Sequence, residues 1–112
     1  MKKPFEFINL TPHAIVLHDG EFINATFEPS GSVARVSTEV KAVDGFFYRR
    51  KFGEVINLPE PKENVFYIVS AMVKSAVKGR KDVVAPATDA EGVIRNDKGH
   101  IVSVPGFIFE EE

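Results

Sequence analysis

Turn-forming residues interrupt this chain at short intervals: Thr11-Pro12, Asp19-Gly20, Pro29-Ser30-Gly31, Asp44-Gly45, Pro59 to Asn64 and Asn96 to Gly99. The apolar runs between them are strand-length, and only one segment has the marks of a helix. Phe5 to Leu10 alternates apolar and polar residues before Thr11-Pro12. His13 to His18 predicts a second strand ending in Asp19-Gly20, a pair that tolerates positive φ and favours a hairpin. Glu21 to Phe27 is then the return strand, and Pro29-Ser30-Gly31 predicts a second hairpin leading into Ser32 to Thr38. Phe46 to Phe52 and Glu54 to Leu58 are expected as aromatic-rich strand, with a bulge or break at Gly53.

Val65 to Val69 is apolar at both parities, the pattern of a central strand covered on both faces. Ser70 is placed to cap a helix over Ala71 to Lys78, with Met72, Val73, Ala76 and Val77 as its apolar stripe and Gly79 at its left-handed end. Val83 to Pro86 is expected as a short strand, and Val93 to Arg95 with His100 to Val104 as a third hairpin around Asn96 to Gly99. Phe107 to Phe109 closes the ordered part. Residues 1–4 and 110–112 are expected to be flexible ends. Glu6-Phe7-Ile8-Asn9 recurs as Glu21-Phe22-Ile23-Asn24 with unmatched flanks, which reads as similar strands and not as a solenoid. The expectation is a single domain over 1–112 of the α+β class: strand-dominated, with several hairpins forming a twisted antiparallel sheet and one short helix.

Composition narrows function by exclusion. With 112 residues, 44% hydrophobic and 27% charged, the chain has ordinary globular balance. Its formal charge is -2 and its pI is near 5.9, against the basic excess of a duplex-DNA binder. There is no cysteine, so disulfides and thiolate chemistry are out. The start lacks the apolar core of a signal peptide, and no run is long enough to span a membrane. A cytoplasmic location, in the host cell if the chain is phage-encoded, is the expectation.

The histidines are His13, His18 and His100. His13 and His18 are five apart, so a regular strand sends them to opposite faces. No metal site and no cofactor is expected, and the plain reading of His18 is a solvent-facing residue beside a turn. The five-residue serine elbow, the dinucleotide fingerprint and the phosphate loop are all missing. What remains is a dispersed set of groups suited to an anion. Arg35 lies beside Val33 on a short strand, Arg80 follows the helix two residues before Asp82, and Arg95 closes the third hairpin near His100. Thr11 and His13 flank Pro12, and Ser70 presents the start of the helix. Thr11, His13, Arg35, Ser70, Arg80 and Arg95 are the candidate ligand contacts, with arginines pairing phosphate oxygens in bidentate fashion. A plainer reading makes Ser70 a cap and the arginines a solvated charge set. Phe46 to Phe52 interleaves aromatics with Arg49, Arg50 and Lys51, a composition that stacks bases and pairs phosphates. A core-facing side and a wet basic side would explain the same residues.

Asn9-Leu10-Thr11-Pro12-His13, Pro29-Ser30-Gly31-Ser32-Val33-Ala34-Arg35-Val36, Gly53-Glu54-Val55 with Leu58-Pro59-Glu60-Pro61, Tyr67-Ile68-Val69-Ser70, Arg80-Lys81-Asp82-Val83 and Val93 to Ile101 occur in that order. Together they resemble a family of small stand-alone proteins of tailed phages, prophages and actinobacteria. The resemblance runs from about Asn9 to Phe107, and His100 departs from the basic residue expected before Ile101. It implies no activity or site residue. It does imply company: small β-rich phage proteins often act on host defence by sequestering nucleotide-derived immune signals. By analogy this chain looks like such a sponge, as counter-defence proteins of the Thoeris and CBASS inhibitor groups are. The expected function is therefore a homo-oligomeric binding protein that captures a small anionic, nucleotide-derived ligand. Two alternatives stand beside it. One is a phosphodiesterase using His13 or His100 as general acid or base; the other is a protein-binding or virion accessory module, with a host protein as partner, acting through a sheet edge.

Overall fold

The computed structural model describes residues 5–19 and 22–109. The strand-dominated α+β class is what the chain adopts. Its centre is a four-stranded sheet built from β1 (Glu6–Asn9), β6 (Val65–Ile68), β7 (Val83–Pro86) and β10 (Phe107–Phe109), in the order β1-β6-β7-β10. Three antiparallel ribbons stand apart from it: β2 (Ile15–Asp19) with β3 (Phe22–Phe27), β4 (Arg35–Asp44) with β5 (Phe47–Ile56), and β8 (Ile94–Arg95) with β9 (Ile101–Ser103).

The central sheet is mixed. β6 pairs in parallel with both β1 and β7, and only β10 runs antiparallel to its neighbour. Parallel neighbours need a crossover, and helix α1 (Ala71–Ala76) supplies it between β6 and β7. The hairpins thus form separate ribbons around a parallel core instead of merging into one antiparallel sheet. The Ser70 hydroxyl accepts the N–H of Val73 at 3.2 Å, the expected cap. The helix stops at Ala76, short of Lys78, because Val77 is extended; Gly79, at φ 85°, turns the chain just beyond.

Each face of the sheet buries a different set. On one side Leu10, Ala34, Tyr67, Val69, Val73 and Val83 form the core cluster, with Ile8, Val36, Val55 and Leu58 packed around it. On the other, Phe7 stacks on Phe66 and Phe107 with ring centroids 5.4 and 5.5 Å apart, and Phe27 of β3 tilts against Phe7 at 5.1 Å. This double burial explains why β6 is apolar at both parities: Tyr67 and Ile68 are fully buried.

The second early hairpin is not formed. Residues 29–34 run beside the end of β1 instead, with Ser30 N donating to Asn9 O at 2.9 Å and Ala34 N to Leu10 O at 3.0 Å. Arg35 then opens a ten-residue strand that pairs with β5. Gly53 does not break β5 but marks a bulge: Val36 pairs Val55 and Thr38 pairs Phe52, so Gly53 and Glu54 together face Ser37. A Cβ at Gly53 would meet the Ser37 hydroxyl, which would have to rotate away. The third hairpin forms as expected, its turn held by Asn96 Oδ1, which accepts Lys98 N and His100 N at 2.9 and 3.0 Å. Gly20 and Glu21, at the predicted Asp19-Gly20 turn, and both chain ends lie outside the described residues.

Candidate functional site

The turn after β1 is fixed by one buried side chain. Asn9 Nδ2 donates to the carbonyls of His13 and Phe27, both at 2.8 Å, while Asn9 Oδ1 accepts Thr11 N–H at 2.9 Å and lies 2.7 Å from Thr11 Oγ1. Every polar atom of the carboxamide is used, so Asn9 can sit 98% buried without penalty, being only 2% exposed. This pins Thr11 and Pro12 as one wall of a cleft. The segment from Val33 to Val36, tied to Leu10 by the Ala34 N–H, is a second wall; Ser70, Met72 and Val73 are the third.

The cleft holds about 260 Å³ and is floored by buried Leu10, Ala34 and Val73. Among the described residues Arg35 is the single titratable one in its lining. A second opening of about 470 Å³, lined by Arg35, Val36, Ser37, Glu54 and Ile56, shares Arg35 and Val36 with the first. One exposed guanidinium therefore stands between an apolar hollow and an open groove. Such a hollow accepts a flat ring, and a planar fork of N–H donors suits a phosphate or carboxylate. Thr11, Arg35 and Ser70 come to this cleft from three separate segments. The hydroxyls of Thr11 and Ser70 are already occupied locally, by the Asn9 turn and the helix cap.

The other three candidates sit elsewhere. His13 is exposed and lines a different hollow of about 230 Å³ with Ile15, Val16, Pro86 and residues 101–104. Arg95 is exposed and donates to Gly99 O at 2.9 Å, closing its own hairpin. Arg80 donates from Nε and Nη2 to the two carboxylate oxygens of Asp82 at 2.8 and 2.7 Å, and from Nη2 to Pro59 O at 3.0 Å. The hydrogen-bonded carboxylate raises the pKa of Arg80, and the guanidinium lowers that of Asp82 below the usual carboxylate value.

His18 is not solvent-facing. It is buried, with Nδ1 2.8 Å from Ser103 Oγ. The β2–β3 register shifts between Leu17 and His18, and Val104 bridges to Leu17, which brings Ser103 alongside the imidazole. Asn9 is the residue that sequence reasoning missed. Its signal lay in Asn9-Leu10-Thr11-Pro12, where a carboxamide two residues before a threonine favours a side-chain-closed turn. Among the described residues no group of three or more His, Asp or Glu is gathered to hold a metal ion. No helix among them is long and apolar enough to cross a membrane.

No family model, curated protein or solved structure matches the chain.

Proposed function

We propose that this chain is a binding protein that captures a small anionic, nucleotide-derived ligand in the cleft between Thr11, Arg35 and Ser70. The observation that carries this reading is the position of Arg35, among the described residues the single titratable one lining an apolar hollow that opens onto a groove. The guanidinium pairs the ligand's phosphate, while Pro12, Val33 and Met72 flank its ring. The hollow has Arg35 as its charged group and the adjoining groove adds Glu54, so recovery of the ligand intact or cleaved is what separates capture from hydrolysis. The resemblance to small phage proteins supports a host immune signal as the ligand, which makes the protein a counter-defence sponge.

A thermal-shift screen against nucleotide-derived signals, including ADP-ribose derivatives and cyclic oligonucleotides, tests it. A ligand at about 100 times its Kd adds about 2.7 kcal/mol, or roughly 10 °C of melting temperature for a domain of this size. A shift with the ligand recovered intact supports capture; a shift with the ligand consumed makes the protein an enzyme.

A second reading rests on a different observation, the exposed ribbon of β4 and β5. Phe46, at 96% exposure, and Phe47 and Tyr48 at its tip are left uncovered by the other described residues, as a protein-binding or virion accessory module would require. Capture of a defined host or virion protein, with no response to any ligand in the panel, would favour it.

A further inference from the structure

The β4–β5 ribbon is an arm. Two ten-residue strands give it a length of about 34 Å. Nearly all its residues are exposed; only Val36 and Val55, at its base, are half-buried. The radius of gyration is 15.9 Å, against about 13 Å for a compact chain of this length. The register divides the arm into two faces. Thr38 with Phe52, Val40 with Arg50 and Ala42 with Tyr48 share one; Glu39 with Lys51 and Lys41 with Arg49 share the other. The first continues outward the side on which Val36 and Val55 pack against the core. A two-stranded ribbon is marginal in water by itself, and this one carries Val40, Tyr48 and Phe52 beyond the reach of its own core.

We infer that the outer edge of β4 pairs antiparallel with β4 of a second copy, with Val40 opposite Val40 on the two-fold axis. Among the described residues β4 has a single strand neighbour, β5, so its other edge is open. Charge selects both the edge and the register. With Val40 on the axis, Glu39 of each copy faces Lys41 of the other, an attractive pair made twice. The neighbouring registers that keep the faces aligned centre on Glu39 or on Lys41, and each sets a charge against itself. The β5 edge carries Arg49, Arg50 and Lys51 in succession, so self-pairing there opposes like charges.

The resulting sheet, in the order β5-β4-β4-β5, keeps both apolar faces on one side, the side of the two cores. It also places Ala42 of one arm opposite Thr38 of the second copy, so the aromatic tip from Phe46 to Tyr48, beyond the register irregularity between Ala42 and Asp44, is directed toward the base of the second arm. The pairing stands on the arm alone and does not depend on a ligand in the Arg35 cleft.

Sedimentation of the full chain over a concentration series tests the pairing. The wild type is expected to be a dimer. Glu39→Lys and Lys41→Glu each turn two attractive pairs into repulsive ones and should weaken the dimer about tenfold or more. The double swap restores complementarity and should bring the Kd back near the wild-type value, which misfolding of the single variants could not produce. The chain has no cysteine, so Val40→Cys adds one thiol. It should cross-link two chains under mild oxidation, since opposed residues in an antiparallel pair lie within disulfide reach. A monomer at all concentrations, a dimer indifferent to both single swaps, or a dimer that Val40→Cys fails to cross-link would each overturn the inference. A monomer that instead binds a host protein through this edge would assign the arm to that partner.

Discussion

Arg80 grips Asp82 with two parallel hydrogen bonds, Nε to Oδ1 at 2.8 Å and Nη2 to Oδ2 at 2.7 Å, across a turn that leads into β7. The same guanidinium reaches Pro59 O, and the Tyr67 hydroxyl donates to Glu60 O at 3.2 Å, so the loop after β5 is fastened to the central sheet from two sides. Arg80 was a candidate for binding phosphate; its donors are directed to structure instead. Arg80→Ala should cost about 1–2 kcal/mol of stability, between an exposed ion pair and a buried charge-assisted one, because both side chains are half-buried. Ligand affinity should be unchanged. Urea denaturation and a binding titration of the same variant separate the two effects.

The pair also sets a pH dependence. The pKa of Asp82 is lowered in the folded chain, chiefly by its hydrogen bonds from Arg80. Its stabilising contribution is therefore whole above the unfolded carboxylate value and is lost as pH falls through the lower folded value. The stability gap between the wild type and Asp82→Asn should be constant near neutrality and close in acid. Melting curves from neutral pH down to about pH 3 check this. A gap that widens in acid would reverse the sign.

Asn9→Ala should be among the most damaging single changes. It strands the Thr11 N–H, removes the side-chain donor to the Phe27 carbonyl, leaves the His13 carbonyl with the Thr11 hydroxyl alone, and loosens the turn that forms one wall of the cleft. A loss of about 2–4 kcal/mol is expected in urea denaturation. Asn9→Asp should recover only part of it, because a carboxylate accepts from Thr11 but cannot donate to the two carbonyls.

Ser103→Ala removes the hydroxyl beside His18 Nδ1 and leaves a buried ring nitrogen without its partner. The expected cost is about 1–3 kcal/mol. Measured in the melting temperature, the change should leave the arm's self-association untouched, since β2 and β9 lie outside it.

Local chemistry was legible and pairing was not. Ser70 as a cap, Gly53 as a bulge, the Asn96 to Gly99 turn and the doubly covered β6 all follow from residues a few positions apart, and the structure contains each of them. Pro29-Ser30-Gly31 does make a turn, with Gly31 at φ 100°, yet the chain leaving it joins β1 by single backbone contacts and not β3. A turn's composition reports tolerated φ angles, not which strand the next segment will meet. The parallel order β1-β6-β7 was hidden for the same reason: alternation sets the faces of a strand but does not choose its neighbours. His18 escaped because its position beside a turn says nothing of Ser103, 85 residues away, which the Leu17–Val104 bridge brings against it. Of the site, the meeting of Thr11, Arg35 and Ser70 depends on contacts between segments far apart in the chain, and the polar duties of Asn9 show only once His13 and Phe27 are placed around it.

The most direct test of the account is calorimetric titration of wild type and Arg35→Ala with the ligand that gives the largest thermal shift. Arg35 is exposed and among the described residues its side chain has no hydrogen-bond partner, so its removal should leave the melting temperature of the free protein within about 2 °C. Affinity should fall by about 1.5–3 kcal/mol, or roughly 10- to 150-fold, with heat release reduced accordingly. An Arg35→Ala protein that binds as tightly as the wild type would contradict the assignment of the cleft.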